Sequence, residues 1–356
     1  MVTMEQLLRL IVEKGASDLH LTVGIPPQLR VDGKLIYTEF EPLTPLVIQE
    51  LSYSILTKQQ IQYFEMKKEL DFSWGIKELS RFRINLYYQR DSIALAARVI
   101  PFEIPTMEKL QLPEIIKEYA DKPNGLVLLA GATGSGKSTT QAAVINYINN
   151  KRRAHIIAIE DPIEYLHKHN LSTINQRQLG TDTLSYPEAL KHVFRQDPDI
   201  VVIGEMRDLE TIQAALTLAE TGHLIFATLH TGSSAHSITR IVDVFPAHQQ
   251  QQIRVQLSLV LIGVIVQKLI PNYRKEGRSL ALEIMTMIPA IQNLIRENHI
   301  HQIYSLIQTG RKYGMQTMNQ SLCDLVTNRT ISVDEALKHT LDEQELTTLI
   351  EKQKKK

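Results

Sequence analysis

Eight consecutive residues, Gly131-Ala132-Thr133-Gly134-Ser135-Gly136-Lys137-Ser138, fit the pattern of a phosphate-binding loop (P-loop), and their types say what they would do. The glycines let the backbone curl so that its N–H groups face one centre, and Lys137 supplies a point charge for β- and γ-phosphates. The Ser138 hydroxyl is placed to ligate Mg²⁺. The motif needs a strand before it and a helix after it. The apolar run 126–130 and the helix-forming stretch 139–148 provide both. A bound nucleotide is expected to touch Thr133, Gly134, Ser135, Gly136, Lys137, Ser138 and Thr139.

Hydrolysis at such a loop needs acids close to the terminal phosphate. The run 200–203 ends in Gly204-Glu205, which puts Glu205 at the ligand edge of a parallel sheet, where a carboxylate can activate the attacking water. Gly204 stands where many such proteins carry aspartate, so the cation is left to Ser138, phosphates, waters and other acids. Glu160-Asp161-Pro162-Ile163-Glu164, also just past a strand end, supplies those acids, Glu164 foremost. Two histidines, His223 and His230, bracket a further apolar run. A seven-residue strand spans roughly 23 Å, so both cannot touch one phosphate unless the strand ends early. His230, at the C-terminal end, is expected to sense the γ-phosphate. His223 is left with an interface, hinge or purely structural role.

Two kinds of patterning position these residues. In the first hundred residues apolar and polar positions alternate. Phe82, Ile84, Leu86 and Tyr88 share one strand face and Arg81, Arg83 and Asn85 the other, while Arg98 opposes Ile93, Leu95, Ala97 and Val99. These are antiparallel strands covered on one side. Asp32-Gly33 predicts a hairpin turn, Thr44-Pro45 a helix start, and Met4, Leu7, Leu8, Ile11 and Val12 one helical face. After Pro101 and Pro105 the strands become continuous apolar runs separated by helices, which predicts a parallel α/β sheet. Beyond about Pro289 the chain reads as helical, with Ser332 to Glu335 as a capping box. The expected division is a smaller α+β domain at 1–100, a linker at 101–108, the phosphate-binding α/β domain at 109–288 and a helical region at 289–356.

Composition narrows the classes. There are 39 Lys+Arg against 39 Asp+Glu, and no basic, aromatic-interleaved stretch, so nucleic acid is not an expected partner. A single cysteine excludes a disulfide framework and a multi-cysteine zinc site, in keeping with a reducing compartment. The longest apolar run, 257–266, is about half of a membrane span and reads as a buried helix segment. The N-terminus lacks a secretory pattern, since Glu5, Arg9 and Glu13 interrupt it. The protein is expected to be intracellular.

Taken in order, GATGSGKST, IEDPIE, GEMRD and GHLIFATLHT resemble the secretion ATPases of type II secretion and type IV pili. In that family the four blocks are the Walker A, Asp box, atypical Walker B and His box. The resemblance reaches the N-terminus, where ASDLHLTVGIPPQLRVDGKL is similar to the start of the family's PAS-like domain. It implies a RecA-like P-loop core with a PAS-like N-terminal domain, ATP and Mg²⁺ as ligands, and a homo-hexameric ring with sites at subunit junctions. It also implies arginine fingers, matched here by Arg83 and Arg278 and by Arg81 and Arg98. Within the family, the chain length, the missing four-cysteine motif and the segment AIQNLIRE at 290–297 are most similar to the branch that drives pilus retraction. That segment has Gln292 where the branch has arginine. Such a motor is expected to be cytoplasmic, peripheral at the inner face of the membrane, working against an inner-membrane platform protein. A pilus assembly or secretion ATPase, a nucleic-acid translocase and a slow nucleotide-dependent switch are the competing readings.

Overall fold

The computed structural model describes residues 2–31, 33–76, 79–100, 103–273 and 277–354. Asp32 of the expected hairpin, Pro101 of the expected linker and the last two lysines lie outside them. The chain forms two compact units, Met1–Glu103 with Glu164–Leu166, and Ile104–Ile163 with His167–Lys356.

The first unit is a six-stranded sheet. Its strands are β1 (Asp18–Leu21), β2 (Gln28–Val31), β3 (Lys34–Tyr37), β4 (Glu69–Ile76), β5 (Ser80–Gln89) and β6 (Ser92–Ile100), in the order β3-β2-β1-β6-β5-β4 with every pair antiparallel. Alternation decides the faces. Phe82, Ile84 and Leu86 are buried under the helices Met4–Glu13, Pro45–Tyr53 and Lys58–Lys67. Thr44 caps the second of these through the Val47 N–H, with Pro45 in the first turn. Met4, Leu7, Leu8 and Ile11 are buried as expected, but Val12 is 37% exposed. On the polar face Asp18 lies opposite both Arg30 and Arg98, and its carboxylate meets Arg98 at 2.7 Å. The hairpin signal at 32–33 implied β3, which pairs with β2 from Val31–Lys34 onward, while β4 was not singled out in the sequence. All of β3 is exposed, whereas β4 does alternate, with Leu70, Phe72, Trp74 and Ile76 on one face and Glu69, Asp71, Ser73 and Gly75 on the other.

The second unit holds β7 (Gly125–Ala130), β8 (His155–Glu160), β9 (Thr173–Gln178), β10 (Ile200–Ile203), β11 (Leu224–Leu229), β12 (Leu261–Pro271) and β13 (Arg278–Thr286). Their order is β13-β12-β7-β11-β10-β8-β9, parallel throughout except for the β12–β13 pair. Apolar clusters cover both faces, which is why these strands read as unbroken hydrophobic runs. The run 257–266 is not one helix. The helix Ala247–Val260 ends inside it and β12 begins at Leu261. An apolar run carries no period, so its break is invisible to patterning.

After β13 the described elements are all helices, some of them single 3₁₀ turns, and several pack on the ends of β12 and β13 through Ile270 and Ala281. The capping box at Ser332 is only half formed. Ser332 accepts the Glu335 N–H at 3.1 Å, while the Glu335 carboxylate turns to Lys338 and His339 instead. Among the described residues no helix is long and apolar enough to cross a membrane.

Candidate functional site

The strand β7 lies mid-sheet between β12 and β11, so the loop that leaves its end at Gly131 opens between neighbouring strand ends. Gly131, Gly134 and Gly136 take φ of 141°, 78° and 90°, a region other residues enter only with strain. At Gly131 there is also no room. A Cβ would stand 2.5 Å from the Gln267 carbonyl oxygen and 2.6 Å from Ser135 Oγ. Gly136 is the N-cap of the helix Lys137–Lys151, so the positive end of that helix faces the loop. Gln267 Nε2 on β12 donates to Thr140 Oγ1 at 2.8 Å and pins the helix start to the sheet. The Lys137 ammonium folds back to donate to the Gly131 and Ala132 carbonyls at 2.7 and 3.0 Å. A cavity of about 460 Å³ adjoins the loop, lined by 131–135, His230, Lys268 and Arg278 among others.

Two residues past β10, Glu205 faces this loop. Its carboxylate meets Arg207 Nε at 2.7 Å and His230 Nε2 at 3.4 Å. Burial pushes the carboxyl up, but the Arg207 hydrogen bond and the charges of His230, Arg207 and Lys137 outweigh it and hold it below its usual value. Glu205 is therefore ionised, as a proton acceptor must be. Neither Arg207 nor its distance of two residues from Glu205 drew attention in the sequence.

The glycine at 204 has a structural cause. A Cβ there would lie 2.5 Å from the Tyr186 hydroxyl and 3.2 Å from both Glu160 Cα and the Ile159 carbonyl oxygen. Tyr186 fills the space an acid would need. Burial pushes its phenol pKa up, with Asp161, Glu160 and Glu205 adding to the shift, so the hydroxyl stays protonated among three carboxylates. No motif flagged Tyr186. Its only signal was Ser185-Tyr186-Pro187, a helix start that Ser185 caps through the Glu188 N–H.

The structure thus brings 131–138, Glu205, His230 and Arg278 to one edge of the second unit. His223 precedes β11 at the opposite end, with Nδ1 3.0 Å from the Leu218 carbonyl oxygen. The acidic block divides. Glu160 ends β8 and accepts from Gln176 Nε2 at 3.0 Å, whereas Glu164 groups with the first unit. Arg83 is exposed on β5 of the first unit, opposite Arg98. Arg81 donates to Ser73 Oγ at 3.1 and 2.5 Å, and Arg98 is engaged by Asp18.

A P-loop at the centre of a mainly parallel sheet, with an ionised acid past the next strand but one, defines a P-loop nucleoside-triphosphatase fold. The chain belongs to the type II/IV secretion system protein family, whose model matches residues 102–339. It is 48% identical to the type IV pilus retraction ATPase PilT of Pseudomonas aeruginosa over 331 residues, 93% of this chain and 96% of that one. It is 40% identical to the type IV pilus ATPase PilU of the same organism, over 97% of this chain and 91% of that one. Among solved structures it is similar to the pilus retraction motor PilT with bound ADP, with a TM-score of 0.92, 46% identity, and coverage of 98% of this chain and 100% of that one.

Proposed function

We propose that this chain is a motor ATPase that hydrolyses ATP to power retraction of type IV pili, the basis of twitching motility. One observation carries the reading. Glu205, ionised and hydrogen-bonded to Arg207, stands within the field of the P-loop lysine in a chain 48% identical to a pilus retraction ATPase. Residues 133–139 cradle the phosphates. Lys137 leaves the carbonyls of its own loop for the β- and γ-phosphates, exchanging neutral acceptors for charged ones. Glu205 takes the proton of the attacking water, and His230, beside it, senses the γ-phosphate.

The donor set fits Mg²⁺. Ser138 opens the helix beside the phosphates and, with no acid possible at 204 while Tyr186 stands there, Glu160, Asp161 and Glu164 are the carboxylates left to support it. Mg²⁺ held at Ser138 neutralises charge on the phosphates. Arg278 and Arg83 act as arginine fingers, Arg83 for a nucleotide held by another subunit, within a homo-hexameric ring. In this reading residues 1–100 are a PAS-like domain, 101–108 a linker, 109–288 a RecA-like ATPase domain and 289–356 a helical extension. The ring works at the inner face of the cytoplasmic membrane against a platform protein. Deletion in the native cell tests the direction of work. Excess surface pili without twitching is the expected result, and loss of surface pili would instead indicate an assembly motor.

A further inference from the structure

Glu283, in the middle of β13, is 4% exposed. A carboxylate so placed costs several kcal/mol unless it is hydrogen-bonded and its charge offset. Helix ends supply the hydrogen bond and part of the offset, while burial still holds the carboxyl above its usual value. Its Oε1 accepts the Ser234 N–H at 2.7 Å, and Ser234 is the first residue of the helix Ser234–Asp243. The Met318 N–H, at the start of the helix Met318–Thr327, also favours the ionised form, as does Lys268. Lys268 is a diagonal neighbour on β12, since Val266 lies opposite Glu283 and Lys268 opposite Ala281. Its Nζ donates to the His339 carbonyl at 2.7 Å, the last residue of the helix Val333–His339.

Ser234 is only four residues past His230. Between them Thr231 is buried, with Oγ1 2.6 Å from Ser237 Oγ of the same helix. The turn is therefore held at one end by Glu283 and presents His230 to Glu205 at the other. We infer that Glu283 is a positioning residue for hydrolysis: by accepting the first N–H of the helix Ser234–Asp243, its carboxyl group sets the turn that holds His230 against Glu205, beside a cavity it shares with Met318 and Asn319 of the C-terminal helices. The inference rests on the proposal that the chain hydrolyses ATP.

Steady-state ATPase assays on the assembled wild-type protein, Glu205→Gln, Glu283→Ala, Glu283→Gln and Ser234→Pro test it, alongside ADP affinity. Glu283→Ala removes the acceptor, and kcat should fall about tenfold or more while KM and ADP affinity stay within about twofold, because the P-loop is untouched. Glu283→Gln keeps an oxygen for the Ser234 N–H and should return kcat to within about threefold of wild type. Ser234→Pro removes the donor at a first helical position, where proline is accepted, and should repeat the kcat loss if the alanine variant does not fold. Wild-type kcat in Glu283→Ala or Ser234→Pro overturns the inference. So does a kcat loss matched by weaker ADP binding, or a glutamine variant no better than alanine. Absent wild-type turnover overturns the hydrolysis reading and this inference with it; full turnover by Glu205→Gln removes Glu205 as the base and so overturns the inference while hydrolysis stands.

Discussion

Replacing Gly204 by alanine puts a methyl carbon 2.5 Å from the Tyr186 hydroxyl, about 1 Å inside an ordinary contact. The other near atoms, Glu160 Cα and the Ile159 carbonyl oxygen at 3.2 Å, are backbone and belong to β8. They cannot retreat, because the Gly204 N–H donates to that carbonyl at 2.8 Å. The strain therefore falls on Tyr186, which packs against the core between β10 and its covering helices. Overpacking of this kind costs about 1–3 kcal/mol. Tyr186→Phe removes the one atom in closest contact and should by itself change stability by less than about 1 kcal/mol. Combined with Gly204→Ala it should recover about half or more of the loss, a coupling of about 1–2 kcal/mol. Denaturant unfolding of the wild type, both single variants and the double variant measures the cycle. ATPase activity should follow the same order, with Gly204→Ala lowered about tenfold or more because Glu205 is the next residue and shifts with it. A Gly204→Ala variant as stable as the wild type, or additive losses in the double variant, would refute the claim that Tyr186 excludes a side chain at 204.

Mixing inactive Arg83→Ala protein with inactive Lys137→Ala protein should restore part of the ATPase activity, since one junction can then join an intact P-loop to an intact Arg83; no rescue would mean a self-contained site. His167 is held neutral by burial, its pKa lowered from 6.5 to about 4. Below pH 6.5 the unfolded chain takes up a proton that the folded chain refuses, so stability should fall by about 3 kcal/mol between pH 6.5 and 4. His167→Leu should flatten that limb in unfolding curves taken across the range, and an unchanged slope would sink the assignment. The helix Pro289–Arg296 buries Ile291 and Ile295 and carries Arg296 and Glu297 at its solvent side. Reversing both charges should leave ring size and ATPase activity intact while abolishing twitching, and normal twitching at wild-type protein levels would reduce this helix to core packing.

The parts of the site that follow from backbone chemistry were legible in the sequence. The P-loop glycines are needed for their conformations, and Glu205 falls where an apolar run ends, so type and spacing locate both. The alternation in β5 likewise separates Arg83 from the core. What stayed hidden depends on contacts between segments distant in the chain. Tyr186 meets Gly204 only because β10 lies beside β8. Glu283 looks like one acid in an apolar strand until β12 and β13 pair and the start of the helix Ser234–Asp243 meets its carboxyl group. The helix-to-strand break at Val260 was illegible for a different reason. An apolar residue at the exposed position Leu259 makes the helix end as uniformly hydrophobic as the buried strand that follows, which erases the period that would tell them apart.

The account turns on Glu205 as the base that drives work. Its most direct measurement is the retraction of fluorescently labelled pili in native cells carrying Glu205→Gln, with the purified variant's ADP affinity measured in parallel. Pili that extend but do not retract, by a variant that still binds ADP like the wild type, is the predicted result. Retraction at wild-type speed would contradict the account.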